Sequence, residues 1–333
     1  MTIMTSKLPH PNNPRSNNAK KMDLSTIGRH LILPIFIVIL GLGAAIIEPR
    51  FISAANLGNL AIQLMPLLII AVGQAFAIIN GGLDLSMGAV LSLAGVVGAL
   101  IMQDAGVAAG VSAMLVTGVL VGALNGFIIA YLQTSPLVVT LGMLSVAQAI
   151  ALMLVKGTPI YNITPAFIDF VGYTRFLNLP IVVWIGLATT LMGALILRKT
   201  IFGRYVYAIG SNASAAHKSG INVRWFTMLV YAFSGLCAGI GAIVVTAWTS
   251  SAQPIAAPEI TLQALAAVVL GGVALTGGRG GMFEVICGVT VLGMLSNVMN
   301  MIGVSSYFQM LAIGVVIIVA VILDRFRRQE SAK

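Results

Sequence analysis

Groups able to carry charge, move protons or hold a ligand are few in this sequence, and they stand apart from one another. Asp84 is the only acidic residue between Glu48 and Asp104. It lies in the glycine-rich stretch Gly81-Gly82-Leu83-Asp84-Leu85-Ser86-Met87-Gly88. A lone carboxylate there can gate or bind a polar solute, or can sit at a helix terminus on the cytoplasmic edge, where the dipole favours negative charge. Asn80, Gln74, Asn125, Gln263, Asn297 and Asn300 lie in or beside apolar runs. Amides in such runs face other helices rather than lipid. Asn80, Asn125 and Asn297, with Asp84, are therefore candidates to line a path for a hydroxyl-rich solute, and interhelical hydrogen bonding is the competing reading. His217 has no His, Cys or carboxylate at ligand spacing, and Cys237 and Cys287 form neither a metal spacing nor a disulfide framework. The nucleotide-binding pattern G-x-x-x-x-G-K-[ST] does not occur. No metal, cofactor or catalytic set is expected, and any use of ATP must come from a partner.

The elements that position these groups belong to an all-α, polytopic membrane array. Of the 333 residues, 59% are hydrophobic and 8% charged, with a mean hydropathy of +1.02. A soluble domain carries about 25% charged residues, so lipid must be the main solvent. The net charge of +9 does not indicate nucleic acid, because the 18 Lys and Arg fall between apolar runs rather than in a stripe interleaved with aromatics.

A crossing helix needs about 20 apolar residues. Charge-free windows supply single spans at Leu31–Ile47, Phe51–Leu83, Leu85–Gln103, Phe176–Leu197, Trp225–Trp248 and Ile260–Thr276. Ala105–Val155 holds two, divided at Gln133-Thr134-Ser135-Pro136, where proline interrupts the helix. Val285–Leu323 holds two more, divided at Gly303-Val304-Ser305-Ser306, for a total of ten. With a cytoplasmic N-terminus, 15 of the 18 basic residues fall inside and only Arg50, Lys156 and Arg175 outside, as the positive-inside rule requires. The expected organisation is a polar basic tail over 1–29, a transmembrane domain over 30–325 and a basic tail over 326–333, with both termini cytoplasmic. Aromatic residues in 157–180 suit either a membrane boundary or a docking surface on the outside.

Three features go beyond simple anchoring. Gly118, Gly122 and Gly126 have the spacing that lets helix backbones approach. The Gly81–Gly88 stretch is echoed by Gly271-Gly272-Val273-Ala274-Leu275-Thr276-Gly277-Gly278, and each glycine pair should break a helix near the membrane edge, with Ser86 or Thr276 capping the next. Repeated interrupted segments of this kind point to a transporter. The cytoplasmic loop 198–224 should contain a short helix outside the membrane. Ser211 or Asn212 would be its N-cap, Ala215, Ala216 and Lys218 would lie on it, and Gly220 would be its C′ residue. So short a helix needs a partner surface.

Taken in order, several segments resemble the permease subunits of ribose-type bacterial ABC monosaccharide importers. They are Phe51-Ile52-Ser53 with Asn56-Leu57, Gly81–Gly88, Val139-Thr140-Leu141-Gly142, Lys199-Thr200 with Phe202-Gly203-Arg204, Gly220-Ile221-Asn222-Val223, Ser234-Gly235-Leu236 and Gly271–Gly280. The chain departs from the family pattern at Glu284, where a small residue is more usual. The resemblance implies a pair of permeases, identical or not, in the inner membrane. It also implies a cytoplasmic ABC ATPase below, a periplasmic sugar-binding protein above, and a coupling helix within 198–224. An ion-coupled secondary transporter of a small polar solute is the main alternative, although nearly every span lacks the ionisable residues such coupling uses. A passive channel remains open on physical grounds, and a membrane enzyme has no catalytic set to support it.

Overall fold

Apolar runs become helices because, in hydrocarbon, every backbone N–H and C=O must be satisfied within the segment that carries it. The computed structural model describes residues 24–316 and residue 318. The chain opens with α1 (Leu24–Ile47), a 3₁₀ turn at Pro49–Ile52, α2 (Ala54–Ile79), α3 (Met87–Tyr131) and α4 (Pro136–Leu154). A short α5 (Pro165–Phe167) runs into a π-helical turn at Ile168–Tyr173, and a two-residue antiparallel hairpin pairs Arg175–Phe176 with Leu179–Pro180. Then follow α6 (Ile181–Lys199), α7 (Ile201–Ser211), α8 (Ala213–Lys218), α9 (Val223–Thr249), α10 (Ile260–Gly271), α11 (Met282–Met301) and α12 (Ser306–Val316).

Among the described residues, α2, α3, α4, α6, α9 and α11 are long and apolar enough to cross a membrane; Leu31–Ile47, α10 and α12 are shorter apolar helices. Each charge-free window carries a helix, but two differ from the expected form. No loop separates Gln103 from Ala105. Instead the 45 residues of α3 fold back at Gly106, whose φ of 83° and ψ of 175° suit glycine and not a helix. Its halves are pressed together where Gly98 and Gly110 leave room for Met114 and Met102. The window at Ile260–Thr276 yields only the 12 residues of α10, about 18 Å long, short of a hydrocarbon core of about 30 Å. Gly272, at φ 106°, terminates it. At the N-terminus, α1 starts at Leu24, within the stretch read as tail; residues 1–23 and 326–333 of the two expected tails lie outside the described residues.

The core is built on α2, α3 and α9. From Met65 to Ile79, α2 is buried on every side, whereas α4 turns most of its surface outward. A helix apolar all round belongs in an interior. The second half of α3 meets α9 backbone to backbone. A methyl group on Gly118 would strike the Gly235 carbonyl, one on Gly122 the Tyr231 carbonyl, and one on Gly126 the Met228 backbone. The spacing noticed in the sequence is therefore a real contact, with Gly235 and Gly239 as its complement on α9.

Gly122→Val is expected to force these helices apart, at about 1–3 kcal/mol or more, and to lower the melting temperature of the detergent-purified protein. Gly142→Ala, where an added methyl meets nothing within 4 Å, should leave that temperature unchanged.

Candidate functional site

The candidate region is organised by the break after α2. Asn80 caps the helix, Gly81 turns at φ 90°, and the chain runs without regular structure through Ser86 before α3 begins. The stretch penetrates the bundle instead of lying at its edge. Tyr231 donates its hydroxyl to the Leu83 carbonyl (3.3 Å), and Ser234 donates to Asp84 Oδ2 (2.7 Å). Ser234 lies 11 residues into α9, about 16 Å along its axis, which puts Asp84 near the middle of the bundle. Of the two readings of Asp84, the one at a helix terminus on the edge does not hold, since Asp84 is 1% exposed.

Its other oxygen, Oδ1, accepts the Ser86 N–H (3.1 Å) and the Ser86 hydroxyl (2.6 Å). Ser86 does occupy the N-cap of α3, but its side chain does not cap the helix: the hydroxyl donates to Asp84, and its oxygen accepts from Asn125 instead of from a helix N–H. The Ser86 oxygen in turn accepts from Asn125 Nδ2 (2.9 Å). Asp84, Ser86, Asn125 and Ser234 therefore tie the unwound segment to both α3 and α9. Asn80 adds a bond to Thr227 on α9 (3.2 Å). Asn297 lies apart from this group. It exchanges two hydrogen bonds with Asn56 (2.9 and 3.1 Å), joining α11 to the start of α2.

The second glycine motif comes to the first. Gly277 packs against Gly81, and Gly278 N–H donates to the Ile79 carbonyl (2.8 Å). Gly210 of α7 fits into the same junction, where a methyl group would strike that carbonyl. Thr276 does not cap the following helix, because α11 starts only at Met282, after Gly281. Glu284 occupies the first turn of α11, where a helix N-terminus favours an acidic residue.

The loop 198–224 contains the expected short helix. Asn212 Oδ1 accepts the Ala215 N–H (2.9 Å), which identifies Asn212, not Ser211, as the cap of α8. The far end closes with Gly220 N–H to His217 carbonyl (3.0 Å) and Ile221 N–H to Ala216 carbonyl (3.1 Å), with Gly220 at φ 85°. Ala215 and Lys218 are exposed, but Ala216, one position round the helix, is buried against the chain itself. The preceding helix α7 was missing from the sequence reading. Thr200 caps it by accepting the Gly203 N–H (3.1 Å), and Gly203, Val206 and Ile209, three apart, form its buried stripe. That period was a readable signal. Beside α8 lies a groove of about 880 Å³ lined by Tyr131, Gln133, His217 and Arg224.

A second hollow, a cleft of about 600 Å³, opens among α2, α9, α10, α11 and α12. Its polar lining includes Gln63, Glu259, Gln263, Ser296, Asn300 and Gln309. Gln263 and Asn300 were visible in the sequence as amides among apolar residues; the others gain meaning only from the fold. Asn80, Asp84, Asn125 and Asn297 line neither hollow.

Residues 56–321 match the family model described as branched-chain amino acid transport system / permease component. The chain belongs to this permease family. It is 36% identical over 310 residues to the ribose import permease protein of Haemophilus influenzae, covering 90% of this chain and 95% of that protein. It is 32% identical over 301 residues to the D-allose transport system permease protein of Escherichia coli K12 (90% and 91% covered). The L-arabinose transport system permease protein of the same organism is 32% identical over 294 residues (88% and 89%). No solved structure matches. The permease is thus a multi-pass membrane transport protein and not an enzyme, and its resemblance to the ribose-type permeases extends over most of the chain. Two of the segments that carried this resemblance, Gly81–Gly88 and Gly271–Gly280, form the junction at the end of α2 in the permease.

Ser234→Ala would leave Asp84 Oδ2 without its donor. The cost of a buried acceptor deprived of its partner is about 1–3 kcal/mol, so the purified permease should melt at a lower temperature. Ser234→Thr, which keeps the hydroxyl, should lose less.

Proposed function

We propose that this permease is the membrane-spanning subunit of an importer that carries a monosaccharide across the bacterial inner membrane, driven by ATP hydrolysed on a separate subunit. The observation that carries the reading is the similarity, over about nine-tenths of the chain, to permeases named for ribose, D-allose and L-arabinose. In this reading two permeases pair around the path and a periplasmic sugar-binding protein delivers the solute. The path uses the polar cleft beside α10, and Asn80, Asp84, Asn125 and Asn297 frame it by fixing the helices around it. The chain crosses ten times, the crossing begun by α10 being completed by the non-helical residues 272–281, with both termini and 198–224 in the cytoplasm and 157–180 outside.

The docking element for the ATPase is α8. Asn212 and Gly220 fix its two ends, Ala215 and Lys218 present its exposed face, and buried Ala216 anchors it to the permease. The permease has no nucleotide motif, so force must arrive by contact. Ala215→Glu adds bulk and charge to that face while leaving the spans untouched. It is expected to abolish both co-purification of the ATPase and sugar uptake, with normal amounts of permease in the membrane. Wild-type uptake by this variant would exclude α8 as the coupling element. For the topology, Ala166→Cys should react with an impermeant thiol reagent added to intact cells, and Asn212→Cys should not.

One observation favours the ion-coupled alternative: Asp84 is a carboxylate buried deep in the bundle, where proton-coupled transporters place theirs. The two readings separate in proteoliposomes. ATP-driven import survives a protonophore and stops without the ATPase, and proton-driven import does the reverse.

A further inference from the structure

Gln74 is fully buried, and neither its amide nitrogen nor its oxygen has a hydrogen-bond partner. A buried amide without partners is costly, and native proteins rarely keep one without a use. Its place on α2 suggests that use. Leu60, Gln63, Leu64 and Leu67 of the same helix line the polar cleft. Gln74 follows Leu67 by seven residues, which is nearly two full turns, and so lies on the same face about 10 Å deeper. The preceding residue, Gly73, faces Cys237 and Ser234 of α9, and the 100° step of the helix turns Gln74 away from them.

The element that closes the cleft against this face is α10. It packs on α2 and α11, starts at the cleft with Glu259 and Ile260, and ends after 12 residues. It is also pressed backbone to backbone against α11, since a methyl group on Gly288 would strike the Ala267 carbonyl and one on Gly271 the Glu284 carbonyl. These contacts make α10 and α11 a tight pair, whereas by the helix period the unpaired amide continues the face of α2 that lines the cleft.

We propose that Gln74 is the inner solute-binding residue of the transport path, uncovered when the α10–α11 pair parts from α2, and that its amide then bonds to sugar hydroxyls coming from the cleft. This rests on the sugar-import reading only for the identity of the ligand. The uncovering is independent of it.

Two measurements on the assembled importer test the proposal. In a Cys237→Ala, Cys287→Ala background, Gln74→Cys should be protected from a small methanethiosulfonate reagent at rest and should react about tenfold faster during ATP turnover, the factor expected where turnover shifts the opening equilibrium by about 1.4 kcal/mol. Unchanged protection throughout turnover would overturn the proposal whatever the solute is. Gln74→Met keeps the length of the side chain and removes only the amide. It should melt at or above the wild-type temperature, because an unsatisfied polar group is gone, while uptake of D-ribose, D-allose or L-arabinose falls about tenfold, as expected from one lost hydrogen bond. Wild-type uptake by Gln74→Met, or a fall in uptake matched by a fall in melting temperature, would mark Gln74 as a packing residue. If the wild-type importer carries none of these sugars, the sugar reading fails, and the labelling result alone decides whether Gln74 is uncovered.

Discussion

A carboxylate in the middle of an apolar bundle has to find hydrogen-bond donors, and much of this permease is arranged around that demand. Burying a charge or a polar group costs several kcal/mol unless it is bonded. Asp84 is met by one backbone N–H and two hydroxyls, and no cation appears among the hydrogen bonds of this network. Ser86 comes from its own segment, but Ser234 must be brought by α9 and Asn125 by the second half of α3. Those helices can approach only because Gly118, Gly122 and Gly235 have no side chains to keep them apart. The polar lock and the glycine seam are thus one device: the seam sets the spacing at which the lock closes, and the lock gives the seam a register.

A second consequence follows at the end of α2. Gly81, Gly210, Gly277 and Gly278 converge there, so the end of α2, the amphipathic α7 and the loop after α10 share one junction. In the proposed importer, α7 leads directly into α8, and a push on α8 reaches both interrupted segments through backbone contacts. Side chains can yield to strain by changing rotamer; touching backbones transmit displacement with little give. This gives the glycines of the two motifs a mechanical meaning that their helix-breaking tendency alone does not.

What could be read from the sequence depended on how local the governing physics is. Hydropathy located the apolar helices because each must satisfy its own backbone bonds. The ends of α8 were legible because a cap at Asn212 and a left-handed turn at Gly220 involve residues only a few positions apart. The depth of Asp84 was left open, because nothing in Gly81–Gly88 tells whether the chain turns outward or dives inward. Ser86 was given the wrong bond, since its oxygen accepts from Asn125, 39 positions away, instead of from the helix terminus. Ala215 and Ala216 looked equivalent until a neighbouring surface existed to bury one of them. The polar cleft was legible only in part, as it is assembled from α2, α10, α11 and α12, residues more than 200 positions apart in the chain.

The fold-back of α3 turns at Gly106 without a loop. Most pairs of neighbouring spans are joined by a loop that rises clear of the lipid headgroups, whereas here a single glycine does the turning. In the proposed orientation that corner faces the outside of the cell and presents almost no protein to it. An antibody or a phage approaching the intact cell would find little to grip there, and its footing would have to come from the longer outside connections, above all the segment between α4 and α6.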